Sequence, residues 1–291
     1  MKVAIATDTN SGITAKEGAA LGVYVLAMPV NLESIVHYEG IDITSEELYD
    51  AMRQHRDVST SQPSPGQLME LWDGILADGY DQIVYIPMSS GLSGSCQSAI
   101  LFAQEDYDGR VQVVDNHRIS VTQRESVLSA LHLAKRGYDG EQIRAFLEEH
   151  AYDASIYITV DSMEYLKKGG RVTPAAATLA TVLNLKPVLT IQGDKLDAFA
   201  KVRGMKQAQA RMIEAVKQDR ANRFGQVPES RLLIETTGTL ENPELAEAWR
   251  RQVQSEFPFA RVTYANLPCS IACHVGMNSV AAAIMTEEAQ A

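Results

Sequence analysis

The sequence predicts an α/β protein of two domains, an N-terminal domain on a parallel sheet and a C-terminal α/β domain containing antiparallel strands. Three observations predict this. The chain has 291 residues, about twice the ~150 residues of a working domain. Up to residue 150, β-branched runs alternate with runs of helical spacing, the pattern of a parallel sheet covered by helices on both faces. Beyond residue 152, two strand-like runs within Thr190–Phe199 meet at Gly193-Asp194, a Gly-first turn that suits a hairpin. The expected domains are 1–152 and 153–291, with a last helix able to pack back on the first domain.

Taken in order, Lys2–Thr7 and Gly22–Leu32 read as strands and Ser45–Arg53 as a helix with an acidic first turn. Ser64 starts another helix, with Pro65 at the first position and Gln67 completing a capping box. Gln82–Pro87 and Arg110–Asp115 are apolar strands bounded by turn residues. Gln123–Arg136 and Glu141–His150 space Leu, Ile and Phe as helices do. In the second half, Ser155–Val160, Arg231–Thr236 and Arg261–Leu267 read as strands. Thr173-Pro174 and Asn242-Pro243 each read as a cap followed by proline, and a helical run is expected after Gly276.

Composition excludes several classes of function. A net charge of −11 with no Lys/Arg-rich stretch argues against nucleic-acid binding and against standing attachment to anionic lipid. The apolar run in MKVAIATDTN is too short for a signal peptide. The longest apolar window, Ala19–Val30, falls short of the ~18 residues of a membrane span, so no stable insertion is expected. Three cysteines, Cys96, Cys269 and Cys273, suggest free thiols in a reducing compartment, and hence a cytoplasmic protein.

The chemistry-bearing stretch is YIPMSSGLSGSCQSA, Tyr85–Ala99. A strand leading into a Ser/Gly turn that opens a helix offers free N–H groups and the positive end of a helix dipole. Ser89, Ser90, Ser93 and Ser95 add hydroxyls, and Gly91 and Gly94 let a ligand approach. The turn lacks a P-loop lysine and a dinucleotide fingerprint, which points to one small anion. For any single serine, helix capping is the simpler role. A serine hydrolase or transferase using Ser93, His274 and an aspartate such as Asp161 is the alternative; against it, Ser95 stands where a nucleophile elbow has its last glycine.

Thr60 and Ser61 in TSQPSPGQ are either loop residues or further hydroxyl donors. Arg171 in MEYLKKGGRV and Arg203 in KVRGMKQA are either surface charges or anion partners. Cys269, Cys273 and His274 in LPCSIACHVG lack the second ligand pair of a closed zinc site, so buried thiols are expected and no metal.

Together, TSQPS, SSGLSG, Val113-Val114-Asp115, Lys168-Gly169-Gly170-Arg171, His274-Val275-Gly276 and YEGIDITSEELY resemble the DegV family of bacterial fatty-acid-binding proteins over nearly the whole chain. The resemblance implies a long-chain fatty acid buried in an apolar tunnel, its carboxylate near the cleft between the domains. It implies a carrier rather than an enzyme, needing no cofactor. The partner it implies is a fatty acid kinase catalytic subunit, which would convert the presented carboxylate to acyl phosphate for phospholipid synthesis. By the match, Ser93, the Thr60–Ser61 pair, the Gly94 N–H and His274 hold the carboxylate. Arg171 and Arg203 serve the head group and kinase-dependent phosphorylation. The chain departs from the family pattern at Met277-Asn278-Ser279, across Asn116–Arg124 and, more loosely, at the opening Asp8-Thr9-Asn10-Ser11-Gly12.

A sixteen-carbon chain has about fifteen CH₂ or CH₃ groups, whose burial contributes on the order of 12 kcal/mol before binding costs. Ile156, Ile158, Leu179, Val182, Leu185 and Val188 are candidates to line its tunnel, with core packing the simpler role for each. Burying the carboxylate without partners is costly, and several neutral donors plus a nearby cation can hold it.

Overall fold

The computed structural model describes residues 1–178, 185–192 and 195–287. Residues 1–152 with 268–270 form one compact unit, and 153–267 with 271–287 a second.

The first unit contains β1 (Val3–Asp8), α1 (Ala15–Leu21), β2 (Val23–Leu26), β3 (Pro29–Leu32), β4 (Ile35–Tyr38), α2 (Ser45–Arg53), β5 (Val58–Thr60), α3 (Pro65–Ala77), β6 (Gln82–Ile86), α4 (Ser95–Asp106), β7 (Val111–Val113), α5 (Val121–Lys135) and α6 (Gly140–Glu149). Its main sheet is parallel, in the order β2-β1-β6-β7. Alternation along the strands feeds two cores, because successive side chains leave opposite faces. Ala4, Ala6, Ile83 and Tyr85 pack with Trp72 of α3 and Cys96, Ala99 and Ala103 of α4. Ile5, Val84 and Ile86 pack with Val127 and Leu133 of α5 and Ile143 of α6. Trp72 meets Tyr85 and Tyr107 edge-on, with centroids 5.6 and 5.2 Å away, a favoured aromatic geometry.

Local chemistry sets the helix ends. Ser64 and Gln67 form the expected capping box on α3, with Pro65 in the first turn. Asp139 and Gln142 form another on α6. Asp139→Ala is expected to lower stability by about 1 kcal/mol. A urea melt reads this as a lower midpoint with an unchanged slope.

The expected single strand over Gly22–Leu32 is two, β2 and β3, and they join different sheets. The chain leaves the parallel sheet after Leu26 and enters a small antiparallel sheet of order β4-β3-β5. Ala27 and Met28, where it crosses, carry no turn signature, and Met28 is 2 % exposed.

The second unit contains β8 (Ala154–Thr159), α7 (Glu164–Gly169), α8 (Pro174–Ala177), β9 (Leu185–Ile191), β10 (Asp197–Arg203), α9 (Met205–Asn222), β11 (Leu232–Gly238), α10 (Pro243–Glu256), β12 (Thr263–Asn266) and β13 (Val280–Thr286). The short helix α11 (Cys269–Val275) starts in the first unit and ends in the second. The six strands are ordered β10-β9-β8-β13-β11-β12, antiparallel except for β11–β12. The predicted antiparallel pair is β9–β10; its expected Gly193-Asp194 turn lies outside the described residues. The core on one face joins Tyr157, Val188, Ile234 and Ile284 to Met212 and Val216 of α9 and Trp249 of α10. Thr173 and Asn242 cap α8 and α10 ahead of their prolines, as predicted.

The run after Gly276, expected to be helical, is instead β13, buried at every position and paired on both sides. Three consecutive alanines favour a helix locally, but in a central strand they admit close packing on both faces. The Trp249 indole N–H donates to the Ala281 carbonyl at 3.0 Å.

Candidate functional site

In the first unit the serine-rich turn links β6 to α4. Local bonds shape it. Leu92 and Ser93 N–H donate to the Ser89 carbonyl at 3.0 and 3.2 Å. Gly91 N–H donates to Ser89 Oγ at 3.1 Å, and Ser90 N–H to Asp115 at 3.2 Å. Ser93 is buried, and its Oγ accepts the Ser95 N–H at 3.2 Å. That leaves the Ser93 hydroxyl proton to be given elsewhere. The Gly94 N–H has no acceptor among the described residues. An O–H and an N–H on adjacent residues thus stand at the positive end of the twelve-residue helix α4.

Thr60 closes β5, opposite Val30 of β3. Thr60 is half-buried and Ser61 exposed. The loop beyond them reaches the start of α4: Gln62 Oε1 accepts from Ser98 Oγ at 3.5 Å and would lie 3.3 Å from a Cβ placed on Gly94. The structure therefore brings the TSQPS loop to the SSGLSG turn within one unit, although they are about thirty residues apart in sequence.

Beneath the turn lies a buried network that sequence reasoning missed. Asp8, at the end of β1, accepts from Met88 N–H at 3.1 Å, Asn10 N–H at 3.0 Å and Gln123 Nε2 at 3.1 Å. Gln123 also donates to the Ile86 carbonyl at 3.1 Å. Burial raises the Asp8 pKa against these donors, which pull it down. The network ties the ends of β1 and β6 to α5 and so fixes where the turn begins. The departure across Asn116–Arg124 supplies part of this support. Besides Gln123, it includes the buried Arg118, whose guanidinium donates to the His150 and Ala151 carbonyls at 2.7 and 3.3 Å.

In the second unit, α7, the KGGR stretch and the end of α11 come together. A Cβ on Gly169 would lie 2.2 Å from His274 Nδ1, so only glycine leaves room for the imidazole. Gly170 is the left-handed cap of α7. Burial, and then the charge of Arg171, lower the His274 pKa to about 4. His274 is therefore neutral at pH 7. Arg171 donates to the Gly169 carbonyl. Arg203 ends β10 as an exposed residue, paired in register with Leu185, and is not drawn into this group. Among the lining candidates, Val188 packs in the α9 core, Ile156 and Ile158 are buried, and Leu179 and Val182 lie outside the described residues.

All three cysteines are buried and reduced. Cys269 Sγ sits 3.7 Å from Ser45 Oγ, and burial raises its pKa to about 12. The departure at Met277-Asn278-Ser279 makes a tight turn. Asn278 is left-handed (φ 57°), Ser279 N–H donates to Thr239 Oγ1 at 3.0 Å, and Thr239 N–H donates to the Ser279 carbonyl at 3.0 Å.

Sequence reasoning also missed Glu39. Its carboxylate accepts from Thr9 Oγ1 and Ser270 Oγ, both at 2.9 Å, from Ser270 N–H at 3.4 Å, and from Cys269 N–H. The quoted stretch YEGIDITSEELY contains it, but nothing local signals partners about 230 residues away.

Comparisons with known proteins agree along the chain. The model of a family described as uncharacterised proteins of the DegV family matches residues 2–287. A DegV domain-containing protein of Deinococcus radiodurans is 36 % identical over 75 % of this chain and 77 % of its own. One from Streptococcus pneumoniae is 31 % identical over 97 % and 98 %. Among solved structures, a Thermus thermophilus DegV family protein described by its fatty acid binding superposes with a TM-score of 0.87 at 30 % identity, covering 98 % of this chain and 100 % of that one.

Proposed function

We propose, from the premise that the chain belongs to the DegV family, that it binds a long-chain fatty acid and shelters the tail from water. The observation that carries this reading is the neutral donor set at the start of α4, formed by the Ser93 hydroxyl and the Gly94 N–H with the Thr60–Gln62 loop beside them. The fatty acid binding of the Thermus thermophilus relative supports a fatty carboxylate as the anion. The proposal assigns that carboxylate to Ser93, Thr60, Ser61 and Gly94, with His274 as a further neutral partner. That both groups meet one ligand is part of the proposal.

Neutral donors hold a carboxylate without locking its oxygens in an arginine fork. An oxygen held this way keeps a lone pair for attack on a phosphoryl donor. The finer proposal is therefore that the chain presents the carboxylate to a separate fatty acid kinase catalytic subunit for acyl phosphate formation. Arg171 and Arg203 are assigned to the head-group side of that encounter. This is a carrier's role and asks for no catalytic residue in this chain.

Organic extracts of the purified chain, analysed by mass spectrometry, are expected to contain long-chain fatty acid; stripped protein is expected to take up palmitate or oleate. Absence of both overturns the proposal. The hydrolase alternative predicts labelling of Ser93 by a fluorophosphonate. No labelling is expected, because Ser93 lacks the positive φ of a strained elbow and Asp161 is engaged by Lys186.

A further inference from the structure

We propose that Asp115 makes the serine-rich turn selective for a carboxylate head over a phosphoryl head; this rests on the fatty acid reading above. The N–H groups from Met88 to Ser95 decide what the turn can hold, and the first unit uses nearly all of them itself. Met88 N–H goes to Asp8, Ser89 N–H to the Arg118 carbonyl at 2.9 Å and Ser90 N–H to Asp115 Oδ1 at 3.2 Å. Gly91, Leu92 and Ser93 N–H turn back on Ser89, and Ser95 N–H on Ser93 Oγ. Among the described residues only the Gly94 N–H is left over from this run. A turn that cradles phosphate at a helix start points several N–H groups at it. This one keeps a single N–H and adds hydroxyls, each with one proton. Such a set suits the ~4 acceptor sites of a carboxylate and leaves a phosphoryl dianion short.

Neither stretch that builds this donor set brings a cation: Tyr85–Ala99 and Thr60–Gln67 contain no lysine or arginine. Arg118 presents its carbonyl to the turn, while its guanidinium is committed to the His150 and Ala151 carbonyls. Asp115 works in the opposite sense to a cation. It withholds the Ser90 N–H and sets a negative charge against the turn. Burial, and then that charge, raise the pKa of the Cys96 thiol in the first turn of α4, so the charge is felt where the ligand head would lie. Asp115 pairs with no lysine or arginine among the described residues; the imidazole beside it is that of His117, with Nδ1 3.9 Å away. An uncharged acceptor would fix Ser90 as the Arg118 carbonyl fixes Ser89. The carboxylate adds repulsion, about twice as large for a dianion as for a monoanion. The turn thus discriminates by a repulsive element as well as by attractive ones.

The test uses the full chain stripped of lipid and two amphiphiles with tails of equal length, palmitate and pentadecyl phosphate, at pH 8, where the phosphate monoester is a dianion. Wild type is expected to bind palmitate about 10-fold more tightly. The ratio is modest because the exposed Gly94 lets water reach a larger head. Asp115→Ala is expected to cut the ratio to about 2-fold, with Asp115→Asn, which loses the charge and keeps an acceptor for Ser90, falling between. A purely structural Asp115 would weaken both ligands alike and leave the ratio unchanged, which overturns the proposal. Wild type that binds the phosphate as tightly as palmitate, or more tightly, overturns this proposal alone. Binding of neither amphiphile ends the fatty acid reading, and this proposal with it. If Asp115→Ala does not fold, Asp115→Asn decides by the same ratio.

Discussion

Ser93→Ala is expected to weaken palmitate binding between about 10- and 100-fold, measured by titration of the stripped protein. A hydrogen bond to a charged group contributes about 1.5–3 kcal/mol, and each ~1.4 kcal/mol is a factor of ten. Ser93 is itself buried, but the neighbouring donors Ser61 and Gly94 are exposed, so the effect spans that whole range. The substitution has a second consequence. Ser93 Oγ accepts the Ser95 N–H, so its loss also leaves the first turn of α4 one acceptor short, which lowers stability. The control is Ser95→Ala. Ser95 Oγ is buried with no partner among the described residues, so removing it should alter neither binding nor stability much. A Ser93→Ala protein that retains full affinity would show that the turn is a structural cap only.

The alternation of strands and helices gave away the parallel sheet, because each strand of the first unit feeds two cores. Caps at Ser64, Thr173 and Asn242 were legible because a capping side chain acts on N–H groups within three residues. Legibility failed wherever the deciding partner was distant. Val280–Thr286 is locally helical and became a strand because β8 and β11 flank it. The passage through Ala27 and Met28 into a second sheet is marked only by Pro29, a residue that also suits the first position of a strand. For the site, TSQPS and SSGLSG stood out as hydroxyl clusters, and the structure brought their loops together through Gln62. The Asp8–Gln123 floor and the donors around Glu39 joined residues that no periodicity links. The KGGR stretch gave no sign that its Gly169 is constrained by the His274 ring, about a hundred residues further on.

His274 should leave a signature in stability as a function of pH. Burial, reinforced by Arg171, lowers its folded pKa to about 4, against an ordinary value of 6.5. Above pH 6.5 both folded and unfolded chains hold it neutral, and it contributes nothing. As pH falls below 6.5 the unfolded chain takes a proton that the folded chain refuses, so stability drops until pH 4 is reached. The full loss is about 3 kcal/mol. His274→Gln removes this component. Relative to wild type, the variant should therefore gain about that amount in urea-melt stability between pH 7 and pH 4. Asp8 and Glu39 titrate in the acid range with raised pKa values, which slope the opposite way, but both are present in each protein and largely cancel in the difference. Ligand sharpens the test. A fatty carboxylate beside His274 favours the imidazolium, so loading with palmitate should flatten the wild-type difference, whereas a ligand bound elsewhere would leave it unchanged. The pH profile of one histidine, with and without lipid, thus tests whether the carboxylate reaches the second unit.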